Sequence, residues 1–231
     1  FTSIMEEVAL DYPLTRFVLI DAYIEGLKSN NNISCFTFRE HEGAFLAGAA
    51  AAMKTKSGKI GFIGGIPAPA IERFEAGYIA GAKYVKPDIV VISSYVGTGL
   101  EGFRSPEKAG ELAAGQMDSG ADVIYHAAGK SGNGVNEVVT SRGRLVIGED
   151  VDQTLTLPKE QQVYVLTSVI KGVGKAVYDS VNLQMKGELA GGSVVSTVMA
   201  NMGFDVAMRE HGVAVFETKV GDRYVLEQMQ A

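Results

Sequence analysis

Short runs of consecutive apolar residues alternate with longer segments in which apolar residues recur every three or four positions. Continuous apolar runs are typical of strands buried on both faces, and the three-to-four spacing is typical of helices that cover a sheet. This alternation predicts an α/β protein with parallel sheets. The predicted strands are the runs RFVLIDA, ISCFTF, GKIGFIGG, DIVVISSY, ADVIYHAAG and RLVIGED.

The predicted helices between these runs differ in character. EHEGAFLAGAAAAMK is small and apolar almost all round, which indicates close packing against a neighbour, whereas APAIERFEAGYIAGAKYV is amphipathic. SPEKAGELAAGQMDSG has Ser105 as an N-cap and Pro106 in its first turn. The segment VYVLTSVIKGVGKAVYDSVNLQMKG begins as a strand and becomes a long helix, after which the alternation weakens. The polar stretch KTKSGK separates two sets of strands and is interpreted as a linker.

Charge and composition exclude several kinds of protein. The 231 residues carry a net charge of −6 with no cluster of Lys and Arg, which argues against a nucleic-acid partner. The one cysteine, Cys35, excludes an intrachain disulfide and lies in an apolar run, where a buried core residue is expected. No spacing of Cys and His fits a metal site, and no apolar stretch is long enough to span a membrane.

The loop HAAGKSGNGV contains the tripeptide Gly-Lys-Ser after a predicted strand. A phosphate-binding P-loop would require glycine at position 124, which is Ile124, and the dinucleotide fingerprint would require glycine at position 137, which is Glu137. Both nucleotide motifs therefore fail. Two interpretations remain, a tight strand-to-helix turn or a loop that offers backbone N–H groups to a ligand at the carboxyl end of a strand.

Polar side chains at other strand ends are candidate ligand contacts. Asp21 and Asp150 each close an apolar run, and a carboxylate can accept hydrogen bonds from two ribose hydroxyls. The alternative for both is a turn or a helix cap. Lys171 lies in an otherwise apolar segment, and Phe74 fits a core position better than a stacking one. No nucleophile with a matching base is visible, so no catalytic residue, cofactor or metal is predicted and binding is favoured over chemistry.

Five segments in this order closely resemble the basic membrane protein (BMP) family, the purine nucleoside receptor type of ABC transporter substrate-binding lipoprotein. They are FREHEGAFLAGAAAAM, GKIGFIGGIPAPAIERFEAGYIAGAKYVKPDI, GADVIYHAAGKSGNGV, VIGEDVDQ and VLTSVIKGVGKAV. The resemblance runs from residue 1 to at least residue 180, and the last 40 residues match less distinctively.

The resemblance implies a type I periplasmic-binding-protein fold, with two parallel-sheet lobes and a ligand in the interlobe cleft. On this basis we predict that residues 1–57 form part of lobe 1 and residues 58–153 form lobe 2. Residues 154–231 would cross back to lobe 1 and return toward lobe 2 at the C-terminus. The implied function is capture of guanosine, inosine or adenosine outside the cytoplasmic membrane and delivery to an ABC permease. A sensor or regulator of the same fold, or an enzyme that acts on nucleosides, is the alternative.

The family's ribose-binding carboxylates match Asp21 and Asp150, and its cleft lysine matches Lys171. Its Ala-Ala-Gly-x-Thr-Gly-x-Gly turn matches AAGKSGNG, with Ser131 in place of Thr. The resemblance assigns backbone contacts to Ala128 and Gly129. It assigns a base-contacting surface to the ring of either Tyr125 or His126.

Family members begin with a signal peptide, a lipid-modified cysteine and a purine-binding Asp-x-Ser-Phe-Asn motif, none of which occurs here. We therefore expect the first two βα units of lobe 1 to be missing and membrane contact to need a lipid anchor that this chain lacks. The resemblance implies that the protein is an extracytoplasmic, periplasmic or cell-surface lipoprotein. We interpret the sequence as a fragment of a longer protein, and we expect weak or no nucleoside binding if it is the whole polypeptide.

Overall fold

A computed structural model describes residues 2–28, 32–189, 193–197 and 214–218. Its strands are β1 (Phe17–Ile20), β2 (Ile33–Phe36), β3 (Lys59–Gly64), β4 (Val90–Tyr95), β5 (Val123–Ala127), β6 (Leu145–Asp150), β7 (Val165–Ile170), β8 (Ser193–Thr197) and β9 (Ala214–Thr218). Its helices are α1 (Thr2–Asp11), α2 (Glu40–Lys54), α3 (Pro69–Val85), α4 (Pro106–Asp118), α5 (Gly132–Ser141), α6 (Lys159–Gln162) and α7 (Val173–Met185). The chain divides into two compact units, which are described separately. Unit 1 comprises Phe1–Arg39 with Gly172–Ala231, and unit 2 comprises Glu40–Lys171.

Unit 2 contains a five-stranded parallel sheet in the order β4-β3-β5-β6-β7. Successive residues of a strand point to opposite faces, so neighbours in the sequence enter different cores. Phe62 and Tyr125 pack beneath α2 and α3, whereas the adjacent Ile63 and Ile124 pack beneath α4 and α5. The sheet is thus buried on both faces, which explains the continuous apolar runs and confirms the predicted α/β fold.

Helices α2 and α3 approach one another through backbone rather than through large side chains. A Cβ atom at Gly81 would collide with the carbonyl oxygen of Phe45, and one at Gly77 would collide with the carbonyl oxygen of His41. Gly48 makes the reciprocal approach to Tyr78. The small-residue character of α2 therefore serves a close helix pair, as its composition predicted.

The compact units divide at other positions than the predicted lobes do. Helix α2 packs along α3 and so lies in unit 2, although the predicted boundary at residue 57 placed it in lobe 1. The stretch KTKSGK is a turn inside unit 2 rather than a linker between units. There the backbone N–H groups of Lys56 and Ser57 donate to the carboxylate of Asp122 at 2.7 and 3.0 Å. At the other boundary, β7 pairs with β6 and extends unit 2 to Lys171.

Unit 1 contains a four-stranded parallel sheet in the order β1-β2-β8-β9. Cys35 is fully buried in its apolar cluster together with Leu19 and Ile33, as expected from its sequence context. Strands β8 and β9 belong to this sheet. The predicted C-terminal return toward lobe 2 falls largely on residues 198–213 and 219–231, which lie outside the described part. Across the described ranges, no helix combines the length and apolar character that a membrane span requires.

Candidate functional site

The five parallel strands of unit 2 end along a common edge, which we call the carboxyl edge. Ligands of open α/β sheets bind beyond the carboxyl ends of the strands, where loops and helix N-termini expose unpaired backbone groups. The carboxyl edge carries Ala128 and Gly129 after β5, Asp150 at the end of β6 and Lys171 after β7. Four of the seven predicted ligand contacts therefore occur at this edge.

Asp150 is exposed and holds a backbone conformation that L-residues rarely adopt. Its φ is 68°, and the N–H of Val151 donates to the carbonyl of Glu149 at 2.8 Å, which closes a γ-turn with Asp150 at its centre. Such a conformation costs on the order of 1–3 kcal/mol at a residue other than glycine, and strained residues of this kind cluster at functional sites. The carboxylate of Asp150 is thus presented on a strained turn at the carboxyl edge.

Lys171 is tied to Asp150 through the backbone. Its N–H donates to the carbonyl oxygen of Asp150 at 3.1 Å, continuing the pairing of β6 with β7. Its Nζ lies 5.1 Å from the centroid of the Phe74 ring, within the range of a cation–π interaction. The Phe74 ring is only 1% exposed and belongs to the core, as its helical spacing predicted, so it orients the lysine from below.

Asp21 in unit 1 shares with Asp150 a position at the end of a strand and a positive φ. It follows β1 directly, is exposed, and has a φ of 65°, and its N–H donates to the carbonyl of Phe36 at 2.8 Å. Among the residues that the structure describes, these two aspartates are the only ones other than glycine with positive φ. Two chemically identical side chains therefore share an unusual conformation at the ends of parallel strands.

The Gly-Lys-Ser tripeptide forms a short 3-10 turn that leads into α5. The hydroxyl of Ser131 is fully buried, accepts a hydrogen bond from the N–H of Ser105 at 2.8 Å and donates to the carbonyl of Gly102 at 2.7 Å. Gly129 is exposed with a φ of 54°, whereas Ala128 is buried. The serine thus joins this turn to the segment after β4, and Gly129 presents the accessible backbone.

Tyr125 and His126 require a correction, because both are core residues of unit 2. The Tyr125 ring packs 5.2 Å from Tyr78 and 5.5 Å from Phe62, and burial raises the pKa of its hydroxyl well above the usual value. His126 points to the other face, where burial lowers the pKa of its imidazole to about 4. Strand β5 continues to Ala127, so both positions lie inside the sheet rather than at its end. Neither side chain provides the predicted base-contacting surface.

Two buried polar residues were not predicted from the sequence, Asn136 in α5 and Gln153 beyond β6. The Nδ2 of Asn136 donates to the Oε1 of Gln153 at 3.1 Å, and its Oδ1 lies 3.1 Å from the Nε2 of His126. Both occur in polar stretches where exposure is the usual expectation. The sequence offered one indirect signal of this close packing, the glycines Gly132 and Gly148. A Cβ at Gly132 would collide with His126, and one at Gly148 would collide with Gln153.

Solved structures with this fold include solute-binding proteins. A solute-binding protein of an ABC transporter system from Aeropyrum pernix K1 is 29% identical with a TM-score of 0.72, over 84% of this chain and 54% of that one. A transcriptional activator of the comK gene from Bacillus halodurans is 21% identical with a TM-score of 0.69, over all of this chain and 72% of that one. The second likeness shows the fold alone, and together they confirm the periplasmic-binding-protein type of fold.

Curated relatives give a consistent family. The ABC transporter nucleoside-binding protein BmpA of Lactococcus lactis is 38% identical over 87% of this chain and 59% of its own length. Basic membrane protein A of Borreliella afzelii is 37% identical over 77% of this chain and 53% of its own. The chain therefore spans between about half and three fifths of the length of these two relatives.

Two family models match the chain. Residues 177–231 match domain III, an alpha/beta/alpha domain, of phosphoglucomutase/phosphomannomutase, a likeness that was not predicted from the sequence patterns. It covers the segment where the other resemblance was least distinctive. Residues 1–203 match the model for ABC transporter substrate-binding proteins of the PnrA-like type. The chain belongs to this PnrA-like family of ABC transporter substrate-binding proteins.

Proposed function

We propose that the protein captures purine nucleosides outside the cytoplasmic membrane and delivers them to an ABC permease. The observation that carries the proposal is the strained, exposed Asp150 at the carboxyl edge, held beside Lys171. The name of the Lactococcus lactis relative as a nucleoside-binding protein supports the ligand class. Guanosine, inosine and adenosine are the candidate ligands.

The chemistry of the carboxyl edge suits a neutral sugar. An ionised carboxylate only accepts hydrogen bonds, and its two oxygens match the two adjacent hydroxyls of a ribose. Asp150 takes this role. Lys171 donates to a ligand oxygen, and Gly129 offers a backbone N–H. A carboxylate at position 150 disfavours a phosphate, so a nucleoside fits better than a nucleotide.

Calorimetry on the protein that carries this sequence tests the proposal. We expect guanosine, inosine or adenosine to bind with micromolar affinity, whereas the free bases and the matching nucleoside 5′-monophosphates bind far more weakly. Asp150→Asn removes the charge without changing the size and is expected to weaken nucleoside binding at least about tenfold, a loss of about 1.4 kcal/mol. Asp88→Asn, at an exposed position in the turn before β4, is the matched control and leaves the affinity unchanged.

Two results would contradict the proposal. Wild-type protein that binds none of the three nucleosides at millimolar concentration would exclude the ligand class, and Asp150→Asn that binds as tightly as wild type would exclude the ribose contact. Chromatography of the same mixtures separates binding from catalysis, because release of free base would identify an enzyme.

A further inference from the structure

A buried relay of three hydrogen-bonded side chains, His126, Asn136 and Gln153, runs beneath the Asp150 turn. Its donors all point in one direction: the Nε2 of His126 to Asn136, the Nδ2 of Asn136 to Gln153, and the Nε2 of Gln153 to the carbonyl of Glu149, at 3.1, 3.1 and 3.2 Å. Asn136 Oδ1 can only accept, which places the His126 proton on Nε2. The relay therefore joins β5, α5 and the segment after β6 into one hydrogen-bonded path.

The last acceptor of the relay is the first residue of the γ-turn. The Glu149 carbonyl accepts both the γ-turn hydrogen bond from Val151 and the side-chain bond from Gln153. The backbone N–H of Gln153 also donates to the hydroxyl of Ser168 in β7 at 3.0 Å. Gln153 thus joins the first residue of the γ-turn to the neighbouring strand β7.

Close packing allows the side chains of the relay to occupy these positions. Gly148 leaves room for the Gln153 side chain, and Gly132 leaves room for the His126 ring, since a Cβ at either glycine would collide with its neighbour. Asn136 is 1% exposed and Gln153 is 9% exposed. The Nδ1 of His126 has no hydrogen-bond partner among the described residues, but the three bonds of the path are buried. Breaking any one of them would leave a buried donor or acceptor unsatisfied, which opposes displacement of these side chains.

We infer that His126, Asn136 and Gln153 are positioning residues, which hold the γ-turn at Asp150 in its strained form and so set the selectivity for a ribose with free hydroxyls. This inference rests on the proposed function, because it assigns the Asp150 carboxylate to the ribose. Strain at Asp150 persists only while neighbouring contacts oppose relaxation. The relay supplies that opposition from beneath, without touching the ligand.

Gln153→Met tests the inference, because methionine keeps the length and volume but cannot donate to Glu149. Gln116→Met is the matched control. Gln116 is also a buried glutamine whose Nε2 donates to a main-chain carbonyl, that of Phe62 at 3.0 Å, but it lies in α4 away from the γ-turn. Asn136→Leu breaks the path one link earlier and serves as a second variant if Gln153→Met does not fold.

Two measurements separate positioning from general stability. The first is the ratio of the Kd of 2′,3′-dideoxyguanosine to that of guanosine. Gln153→Met is expected to lower this ratio at least about tenfold, because misplacing a recognition group by an ångström is costly, whereas Gln116→Met keeps the wild-type ratio. The second is amide hydrogen exchange of residues 149–155, which we expect to speed up at least about tenfold in Gln153→Met and not in Gln116→Met.

The outcomes distinguish this inference from the proposed function. If wild type prefers guanosine and Gln153→Met keeps that preference, the positioning role is overturned while the ribose contact stands. If wild type binds neither nucleoside, the proposed function fails and hydrogen exchange decides the structural role alone. Equal exchange at residues 149–155 in the two methionine variants overturns the structural role of the relay. Faster exchange in Gln153→Met supports that role.

Discussion

The carbonyl oxygen of Asp150 accepts a 3.1 Å hydrogen bond from the backbone N–H of Lys171, so the two polar groups are joined by the sheet itself. This bond belongs to the pairing of β6 with β7, and the lysine Nζ rests over the buried Phe74 ring. The sheet therefore fixes the backbone of both residues. In the proposed function, fixed positions reduce the conformational entropy that is lost on association, which favours affinity.

Replacing Asp150 is expected to change the unfolding free energy in a direction that depends on how well the new residue tolerates a positive φ. Asp150→Gly removes the side chain at a positive φ that glycine tolerates, so we expect an unfolding free energy equal to wild type or higher by up to about 1 kcal/mol. Asp150→Val places a β-branched residue in the same conformation and should lower it by about 1–2 kcal/mol. Urea denaturation measures both, and equal stability of the two variants would contradict strain at this position.

His126 is expected to make stability depend on pH. The buried imidazole has its pKa lowered to about 4 by desolvation, below the unfolded value near 6.5, so the unfolded chain binds the additional proton between these values. The contribution of the neutral histidine is complete above pH 6.5 and is lost as the pH falls toward 4, a decrease of up to about 3 kcal/mol.

Denaturation curves between pH 7 and 4 test this prediction. His126→Gln, which keeps a donor for Asn136, should flatten the dependence relative to wild type over that interval. His41→Gln, at an exposed position in α2, is the control and should leave the dependence unchanged. A His126→Gln profile parallel to that of wild type would show that the imidazole does not titrate in this range.

Ser131 is expected to contribute to stability through its two buried hydrogen bonds. Ser131→Ala leaves the Ser105 N–H and the Gly102 carbonyl without this partner and should cost about 1–3 kcal/mol. Ser141→Ala, at an exposed position at the end of α5, should change the unfolding free energy by no more than about 0.5 kcal/mol. Thermal denaturation compares the two, and similar shifts in Tm would argue against the bridging role of Ser131.

Glycine at position 81 is expected to be required for the packing of α2 on α3. Gly81→Ala forces a Cβ against the carbonyl of Phe45 and should lower the unfolding free energy by at least about 2 kcal/mol. Gly115→Ala makes the same change inside α4, where the added Cβ would meet no atom beyond its own helix backbone within 4 Å, and should raise the unfolding free energy by about 0.5–1 kcal/mol. Chemical denaturation of the two variants tests this prediction. The changes in unfolding free energy should have opposite signs, and equal changes would contradict the close approach at Gly81.

The sequence predicted strands β1 to β7 and their alternation with helices, because burial on both faces leaves uninterrupted apolar runs such as the one in β3. Strands β8 and β9 lie where the alternation weakens, and they were not predicted. The sequence also predicted the strand-end positions of Asp21 and Asp150, since these polar residues follow such runs directly. The unit boundary was not predictable, because α2 is assigned by its tertiary contact with α3 rather than by local pattern.

The burial of individual polar and aromatic residues could not be predicted from the sequence either. Tyr125 and His126 stand near the end of an apolar run, and only the end of β5 at Ala127 shows that they lie inside the sheet. Asn136 and Gln153 occur in hydrophilic segments, and their burial depends on contacts between elements distant in sequence. Patterns along one chain report which face is apolar, but they do not report which polar groups bond to one another across that face.

The glycines that let α2 and α3 meet through their backbones also restrict how the sequence can change during evolution. Every single-nucleotide change in a glycine codon that alters the amino acid introduces a side chain or ends translation. At Gly77 and Gly81 any such side chain would meet a main-chain carbonyl, which cannot rotate away as a flexible side chain can. This helix pair therefore has no gradual mutational route to a wider spacing, and sequence drift in unit 2 is expected to concentrate elsewhere.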